Sequence, residues 1–520
     1  MSRDWLRAVL RLAESKRPVV PAEGVLGRPV WVYPRSVHLV EGQALFLGRS
    51  GAEKRLFVAC AEGPRSVCER FTGQALAVPG LPEGARLVSC ALSHENAQAL
   101  RDLFNFARPQ RIGVKNSIGL GDRLGLAGSG HIRAVRGTPF RPVLAQQSIR
   151  ELDRTERSAA EVLDAAAWAV FQEGYHEGFG ADADHLKTEA DIDRMVRAGF
   201  TMITLDPGGV AQEANRLSRE ELRRSAADLA REVLKSDLRD VLNRYAGHSF
   251  RLGAGLVLEP TEVEVVRTLV KYGEVLARTV RMHAYLREHY PGRPFEIELS
   301  VDESESVTLP FEHFWLVSEL KRLGIALVSF APRFVGRFEK GIDYRGDLRR
   351  FCQEYRWHVQ IARHLGPYKI SFHSGSDKFS VYRAVAKVRG GTVHIKTAGT
   401  SYLEALRTVA AVAPDLFREI LEFSRACYES ERRTYPVSAD LRKVPPAGDC
   451  SDRDLLRLFE QEDARQVLHV AYGRVLTERD ADGRHRFRER LLHTLERFEE
   501  TYCDNLERHF RRHLQPFLSG

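Results

Sequence analysis

Two histidines in this 520-residue chain each end a short apolar or alternating run. One is His185, in Gly180-Ala-Asp-Ala-Asp-His-Leu-Lys187. The other is His373, in Lys369-Ile-Ser-Phe-His-Ser-Gly-Ser-Asp-Lys378. Neutral imidazole is the commonest metal ligand among side chains, and its second ring nitrogen needs a carboxylate or carbonyl to fix its orientation. Asp182 and Asp184 are placed to be such partners. The pair therefore reads as two ligands of a divalent cation, with Glu339, in Arg337-Phe-Glu-Lys-Gly341, as the expected third. Nitrogen and oxygen donors suit Zn, Mn, Co, Ni or Fe alike, so the residue types leave the metal open.

A second constellation is Glu296-Ile-Glu298, where period-two alternation puts both carboxylates on one face of a strand. Buried glutamates need partners, and partners shift pKa values, which is what acid–base work requires. Glu298 lies nearer the strand end and is the preferred acid–base group. The run Gly119-Leu-Gly-Asp-Arg-Leu-Gly125 has the glycine content of an anion-binding loop. Arg123 in it is able to grip a carboxylate or phosphate bidentately, and an ordinary glycine turn fits the run equally well. After His373, the Ser374-Gly-Ser376 loop offers backbone amides to a ligand.

Such groups need a scaffold that brings distant strand ends together. From residue 111 onward, short β-type runs alternate with amphipathic helical stretches. The runs cover 111–115, 178–184, 202–206, 253–259, 295–301, 325–330, 368–373 and 392–396. Eight β/α units predict a parallel (β/α)8 TIM-type barrel over residues 111–414, with functional groups at the C-terminal ends of its strands. A doubly wound open sheet is the alternative, without a GxGxxG turn in its favour. Residues 1–110 read as a small β-rich or α/β region. Residues 415–520 read as a helical extension that packs on the barrel or on a neighbouring subunit.

Composition narrows the function classes. Charged residues make up 28% and hydrophobic residues 43%, as in an ordinary globular protein. No run approaches the ~20 apolar residues of a membrane span. The N-terminus lacks the apolar core of a signal peptide, so a cytoplasmic location is expected. The net charge of +8 is spread along the chain among acidic residues, unlike the basic face of a nucleic-acid binder. It suits a small anionic substrate, and assembly into a homo-oligomer stays open. Seven scattered cysteines without a CxxC pair argue against a disulfide framework and against a thiolate zinc site.

Two resemblances sharpen this reading. The segment from Asp184-His185 through Ala198-Gly-Phe-Thr201 to Asp206 resembles class II metal-dependent aldolases, and Phe372-His-Ser-Gly-Ser376 resembles their second metal-binding histidine strand. That resemblance implies His185 and His373 as ligands and Asp184 as a catalytic acid–base group. Over most of its length, however, the chain is similar to the tagaturonate/fructuronate epimerases. The matching segments are 119–127, 180–188, 295–303, 338–344, 371–378, 393–402 and 466–470. This implies a metal-dependent isomerase of hexuronate catabolism, interconverting D-tagaturonate and D-fructuronate, with retro-aldol cleavage and re-addition as one route. Asp184 and Glu298 would then carry protons, and Lys187, Lys340, Lys378 and Lys396 would neutralise the substrate carboxylate. Asp122, Arg123, Ser374, Ser376 and Asp377 complete the expected substrate-binding set. A class II-type aldolase that releases its fragments and a non-catalytic barrel subunit are the competing readings.

Overall fold

The computed structural model describes residues 3–518 apart from 62–65, 82, 208, 210, 212–213, 215–216 and 254. Its centre is a closed barrel of eight parallel strands. They are β1 (Ser117–Leu120), β2 (Arg141–Ser148), β3 (Gly180–Leu186), β4 (Met202–Leu205), β5 (Glu296–Ser300), β6 (Ser329–Ala331), β7 (Lys369–Phe372) and β8 (Val393–Thr397). Ladders run continuously from β1 through β8, and β8 closes on β1 with Lys396 opposite Gly119.

The barrel is the expected one, but its strand list differs at three places. Residues 111–115 do not form the first strand. The N–H groups of Ile112 and Gly113 donate to the Glu296 carboxylate at 3.1 and 2.9 Å, which pins this segment at the start of β5. The first strand is the short Ser117–Leu120 instead. Arg141–Ser148, which runs from a proline into Gln146-Gln-Ser148, is a full barrel strand with no counterpart in the expected list. Residues 253–259 are not a barrel strand: Val257–Leu258 pairs antiparallel with Phe250–Arg251 outside the barrel. The total of eight survives because one missed strand offsets one extra. His185 therefore lies on the third strand rather than the second, and His373 follows the seventh as expected.

The N-terminal region is a seven-stranded sheet centred on the hairpin Gln43–Ser50/Glu53–Ala61. Ser50 pairs with Glu53 across the two-residue turn Gly51-Ala52, and Gly51 supplies the positive φ that such a turn requires. Alternation buries both faces. Leu45, Leu47, Leu56 and Val58 pack against Trp168 and Phe171 of the barrel helix Ala159–Gln172. Phe46, Phe57 and Ala59 pack against Trp5 and Val9 of the N-terminal helix. A single disulfide joins Cys60 to Cys68 here, less than the framework that the scattered spacing argued against; the other five cysteines are free.

The C-terminal helices pack on the barrel. The last, Glu499–Leu518, lies along Gly128–Val135. Gly130 permits that approach, because a Cβ there would meet Leu506 at 2.7 Å. No helix among the described residues is long and apolar enough to cross a membrane.

Between the barrel and this last helix, His131 is fully buried, with Nε2 at 2.7 Å from the Ser401 hydroxyl. Burial pushes its imidazole down to about 4. Below pH 6.5 the unfolded chain takes up a proton that folded His131 refuses, so this contribution to stability is lost as pH falls toward about 4. At ~1.4 kcal/mol per pKa unit the loss is on the order of 3 kcal/mol. Urea titrations of wild type and His131→Gln, run across that pH window, should show the wild type losing more stability on acidification. Parallel curves would contradict the assignment.

Candidate active site

The end of β3 aims its functional groups by a backbone irregularity. The β3–β4 register shifts between Ala183 and Leu186, and His185 has φ +55°. In a regular strand Asp184 and His185 would point to opposite faces; the bulge turns both toward the barrel mouth. The turn is held from behind by a capping box, in which the Thr188 hydroxyl accepts the Asp191 N–H and starts helix Glu189–Ala198. Gly199 ends that helix in the left-handed region and returns the chain to β4. His373 sits at the start of an equally tight loop, where Ser374 and Asp377 both have positive φ.

These two loops bring the histidines together. His185 Nε2 faces His373 Nδ1 at 3.0 Å. Each outer nitrogen is taken by a carboxylate: His185 Nδ1 by Asp206 at 2.9 Å and His373 Nε2 by Glu298 at 2.7 Å. Asp184 Oδ1 lies 3.7 Å from His185 Nε2, and Asp302 Oδ1 lies 3.2 Å from His373 Nδ1. Burial alone would lower both imidazoles. Asp184 and Asp206 instead raise His185 to about 9, and Asp302 and Glu298 raise His373 to about 10. The surrounding acids thus outweigh burial at both rings.

Beneath the pair, inside the barrel, lies Lys396 of β8, 2% exposed. Its ammonium is 2.7 Å from Asp182, 2.8 Å from Asp184 and 2.7 Å from Glu298, and it donates to the Thr204 hydroxyl at 2.8 Å. Three carboxylates hold this lysine firmly charged against the cost of burial. In return, and again against burial, Lys396 and the imidazoles hold Asp184 and Glu298 well below the usual carboxylate range. Asp182 is the exception: burial, with Asp184 and Glu298 close by, raises it to about 6 despite Lys396. Gly119 makes room for one more member. A Cβ there would overlap the Gln146 amide, which instead reaches Asp184 at 3.3 Å.

The remaining expected residues separate into two groups. Lys340 and Ser374 belong to the site: Lys340 Nζ donates to Ser374 Oγ at 2.8 Å, and both line a cavity of about 340 Å3 together with His373 and Asp302. Lys187 stands at the rim, paired with Glu303 at 2.9 Å. The others are bonded within the protein. Asp122 accepts the N–H groups of Leu124, Gly125 and Ala127, so the glycine run is a self-bonded loop. Arg123 is buried on Glu151 at 3.0 Å and stacked over the Tyr472 ring. Lys378 is spent on the carbonyls of Glu339, Ile342 and Ser376, beneath which Ser376 is itself buried. Asp377 binds Arg465 at 2.7 Å and His509.

Glu339 is not with the histidines. Its carboxylate accepts from Ser438 at 2.5 Å and Gln466 at 3.1 Å, both in the C-terminal extension. Among the described residues, the carboxylate that groups with both histidines is Asp184. Sequence reasoning missed Asp206 and Asp302 as partners of the pair, although both directly follow strand ends. It also missed Arg150, Arg333 and Tyr435, which line the same cavity.

Removing one member of a buried ion cluster leaves the others uncompensated, at a cost of about 3–5 kcal/mol. Lys396→Met should therefore lower the unfolding free energy by about that amount in denaturant titrations. A change under ~1 kcal/mol would show that the three carboxylates do not depend on this lysine.

Comparison with known proteins agrees with this architecture. Residues 33–517 match the family model for tagaturonate epimerase. A tagaturonate/fructuronate epimerase of Thermotoga maritima is 41% identical over 488 residues, covering 94% of this chain and 97% of its own. The native crystal structure of fructuronate-tagaturonate epimerase UxaE from Cohnella laeviribosi superposes with a TM-score of 0.85 at 38% identity, covering 99% of both chains. A glycerol complex of that enzyme gives 0.86 at 38% identity, covering 95% of this chain and 97% of its own. With its closed barrel, its facing histidines and this near-complete match, the chain belongs to the tagaturonate epimerase family.

Proposed function

We propose that this chain interconverts D-tagaturonate and D-fructuronate and that it works with a divalent cation held by His185, His373 and Asp184. The observation that carries the metal reading is the pair of ring nitrogens facing each other at 3.0 Å. Both inner nitrogens also lie beside carboxylates, His185 Nε2 by Asp184 at 3.7 Å and His373 Nδ1 by Asp302 at 3.2 Å, so nitrogen and oxygen donors converge on one point. Such a convergence suits a divalent cation, with the outer carboxylates orienting the rings. The donor set fits: two imidazoles, a carboxylate held ionised, and an orienting carboxylate behind each ring. Zn, Mn, Co, Ni and Fe all suit it. Bound there, the cation would supply Lewis-acid polarisation of the substrate ketone.

The chemistry asked of the residues follows from the two sugars. They differ at a carbon β to the ketone, whose proton is not acidic, so enolisation alone does not invert it. Retro-aldol cleavage does. Loss of the hydroxyl proton on that carbon turns it into an aldehyde as the adjacent C–C bond breaks, and the bonding pair moves toward the ketone to give an enediolate. Rotation of the aldehyde and re-addition forms the same bond on the opposite face. No electron leaves or enters.

Glu298, fully buried and bonded to His373, acts as a positioning group in this scheme rather than a proton carrier. Asp302 takes the proton role, because its side chain is 22% exposed and lines the cavity beside His373. It removes the hydroxyl proton and returns it after rotation. Asp184 serves the metal rather than the substrate.

An assay of tagaturonate and fructuronate interconversion tests the reading. Chelator should abolish turnover and an added divalent metal restore it, with no net release of three-carbon fragments. Fragment accumulation by the wild type would favour the aldolase reading, and metal-independent turnover would remove the metal from it. His185→Ala should lose both bound metal and activity. Asp302→Asn should keep its metal while kcat falls by ~10²–10⁴.

A further inference from the structure

The four lysines that the sequence offers for an acidic substrate are not equivalent. Lys396 is saturated by three carboxylates and Lys378 by three carbonyls, and Lys187, half exposed at the rim, is paired with Glu303 and Asp206. Only Lys340 remains. Its one hydrogen bond goes to the neutral Ser374 hydroxyl. It shares the cavity beside His373 with two arginines, Arg150 and Arg333. Among the described residues none of these three cations forms an ion pair. Arg333 donates to the Asp302 carbonyl at 3.2 Å, and Arg150 lies 5.5 Å from the Tyr435 ring centre. Burial and then the nearby Arg150 press the Lys340 ammonium below its ordinary pKa. The buried arginines Arg123 and Arg465 of this chain, by contrast, each have a carboxylate partner. Three unpaired cations in one cavity thus mark a place for an anion.

The cavity has a second peculiarity. One wall is the extension segment Thr434-Tyr435-Pro436. Tyr435 is fixed there by Arg154, which donates to its hydroxyl at 2.6 Å, and by Tyr472 at 3.3 Å. The cationic end of the pocket is consequently closed by a loop of the C-terminal extension, not by the barrel alone.

We infer that Lys340 and Arg150, with Arg333 beside them, hold the substrate's carboxylate. Because that carboxylate belongs to the aldehyde half of the cleaved sugar, they also retain this half while it turns over. The inference rests on the epimerase reading above. Cleavage leaves the ketone half as the enediolate and the acid half as a separate three-carbon semialdehyde. A grip on its carboxylate lets the aldehyde group rotate without letting the fragment leave, which separates an epimerase from an aldolase on the same barrel.

Binding of D-galactonate, a linear acid without a ketone, tests the grip without turnover. Calorimetry on metal-loaded protein should show affinity falling about ten- to a hundred-fold in Lys340→Gln and in Arg150→Gln, and largely recovering in Lys340→Arg and Arg150→Lys. Melting temperatures serve as the folding control. With tagaturonate, both glutamine variants should show a raised KM and should leak dihydroxyacetone, detected by NADH-coupled reduction. Galactonate affinity within twofold of wild type in both glutamine variants overturns the inference. Weakened galactonate binding without any leak upholds the carboxylate grip and instead overturns the retro-aldol route.

Discussion

The arrangement around Lys396 constrains everything above it. An ammonium buried inside a barrel must be neutralised, and here Asp182, Asp184 and Glu298 do so. The carboxylates in turn are tolerable in the lumen only because the lysine is there. The lumen of such barrels is ordinarily filled by layers of branched apolar side chains. Replacing that layer with ions is expensive, and its return is positional. Glu298, fixed by Lys396, fixes the His373 ring; Asp184, fixed by the same ammonium, stands beside His185. One cation below the mouth sets the orientation of the groups at the mouth. The count of charge also points upward. Three carboxylates against one lysine leave an excess of negative charge, to which Asp206 and Asp302 beside the rings add, and a divalent cation would offset it.

The C-terminal helices do a second kind of positioning. The loops after β6 and β7 carry Lys340 and Ser374, and both loops are tied from outside the barrel. Gln466 and Ser438 hold Glu339, while Arg465 holds the Gly341 carbonyl and Asp377. His509 of the last helix bonds to the other oxygen of Asp377 and to Glu404. The cluster Asp377, His509 and His513 has metal-like composition, but its atoms are already committed, since His513 Nε2 accepts the Asp377 N–H. It is a clamp on the His373 loop.

This division explains what was legible in the sequence. Alternating β and α runs carry the barrel in their periodicity, and the histidines stand out by residue type, so both could be read locally. The strand Arg141–Ser148 could not: its Gln146 reaches Asp184 in a polar lumen, and a polar lumen erases the apolar signal on which strand reading depends. Arg111–Lys115 looked like a strand because its alternation comes from a segment pinned by Glu296. The partners of Glu339, Asp377 and Lys378 were not legible for one reason. These residues lie in motif-like loops beside functional residues, yet their partners are 2 to 132 positions away, including the C-terminal extension, and side-chain type carries no record of such contacts. Asp302 and Asp206 were visible as acids after strand ends, but only the closed barrel shows that their carboxylates meet the histidine pair. Even the direction of His185 depends on a bulge that no periodicity announces.

The central claim is that the facing histidines and Asp184 form the metal centre. Anomalous diffraction collected at the absorption edge of the metal in purified protein tests it most directly. The account predicts a single strong peak between His185 Nε2 and His373 Nδ1, within coordination distance of Asp184. A peak instead at Asp377, His509 and His513 or beside Glu339, with none between the two rings, would contradict it.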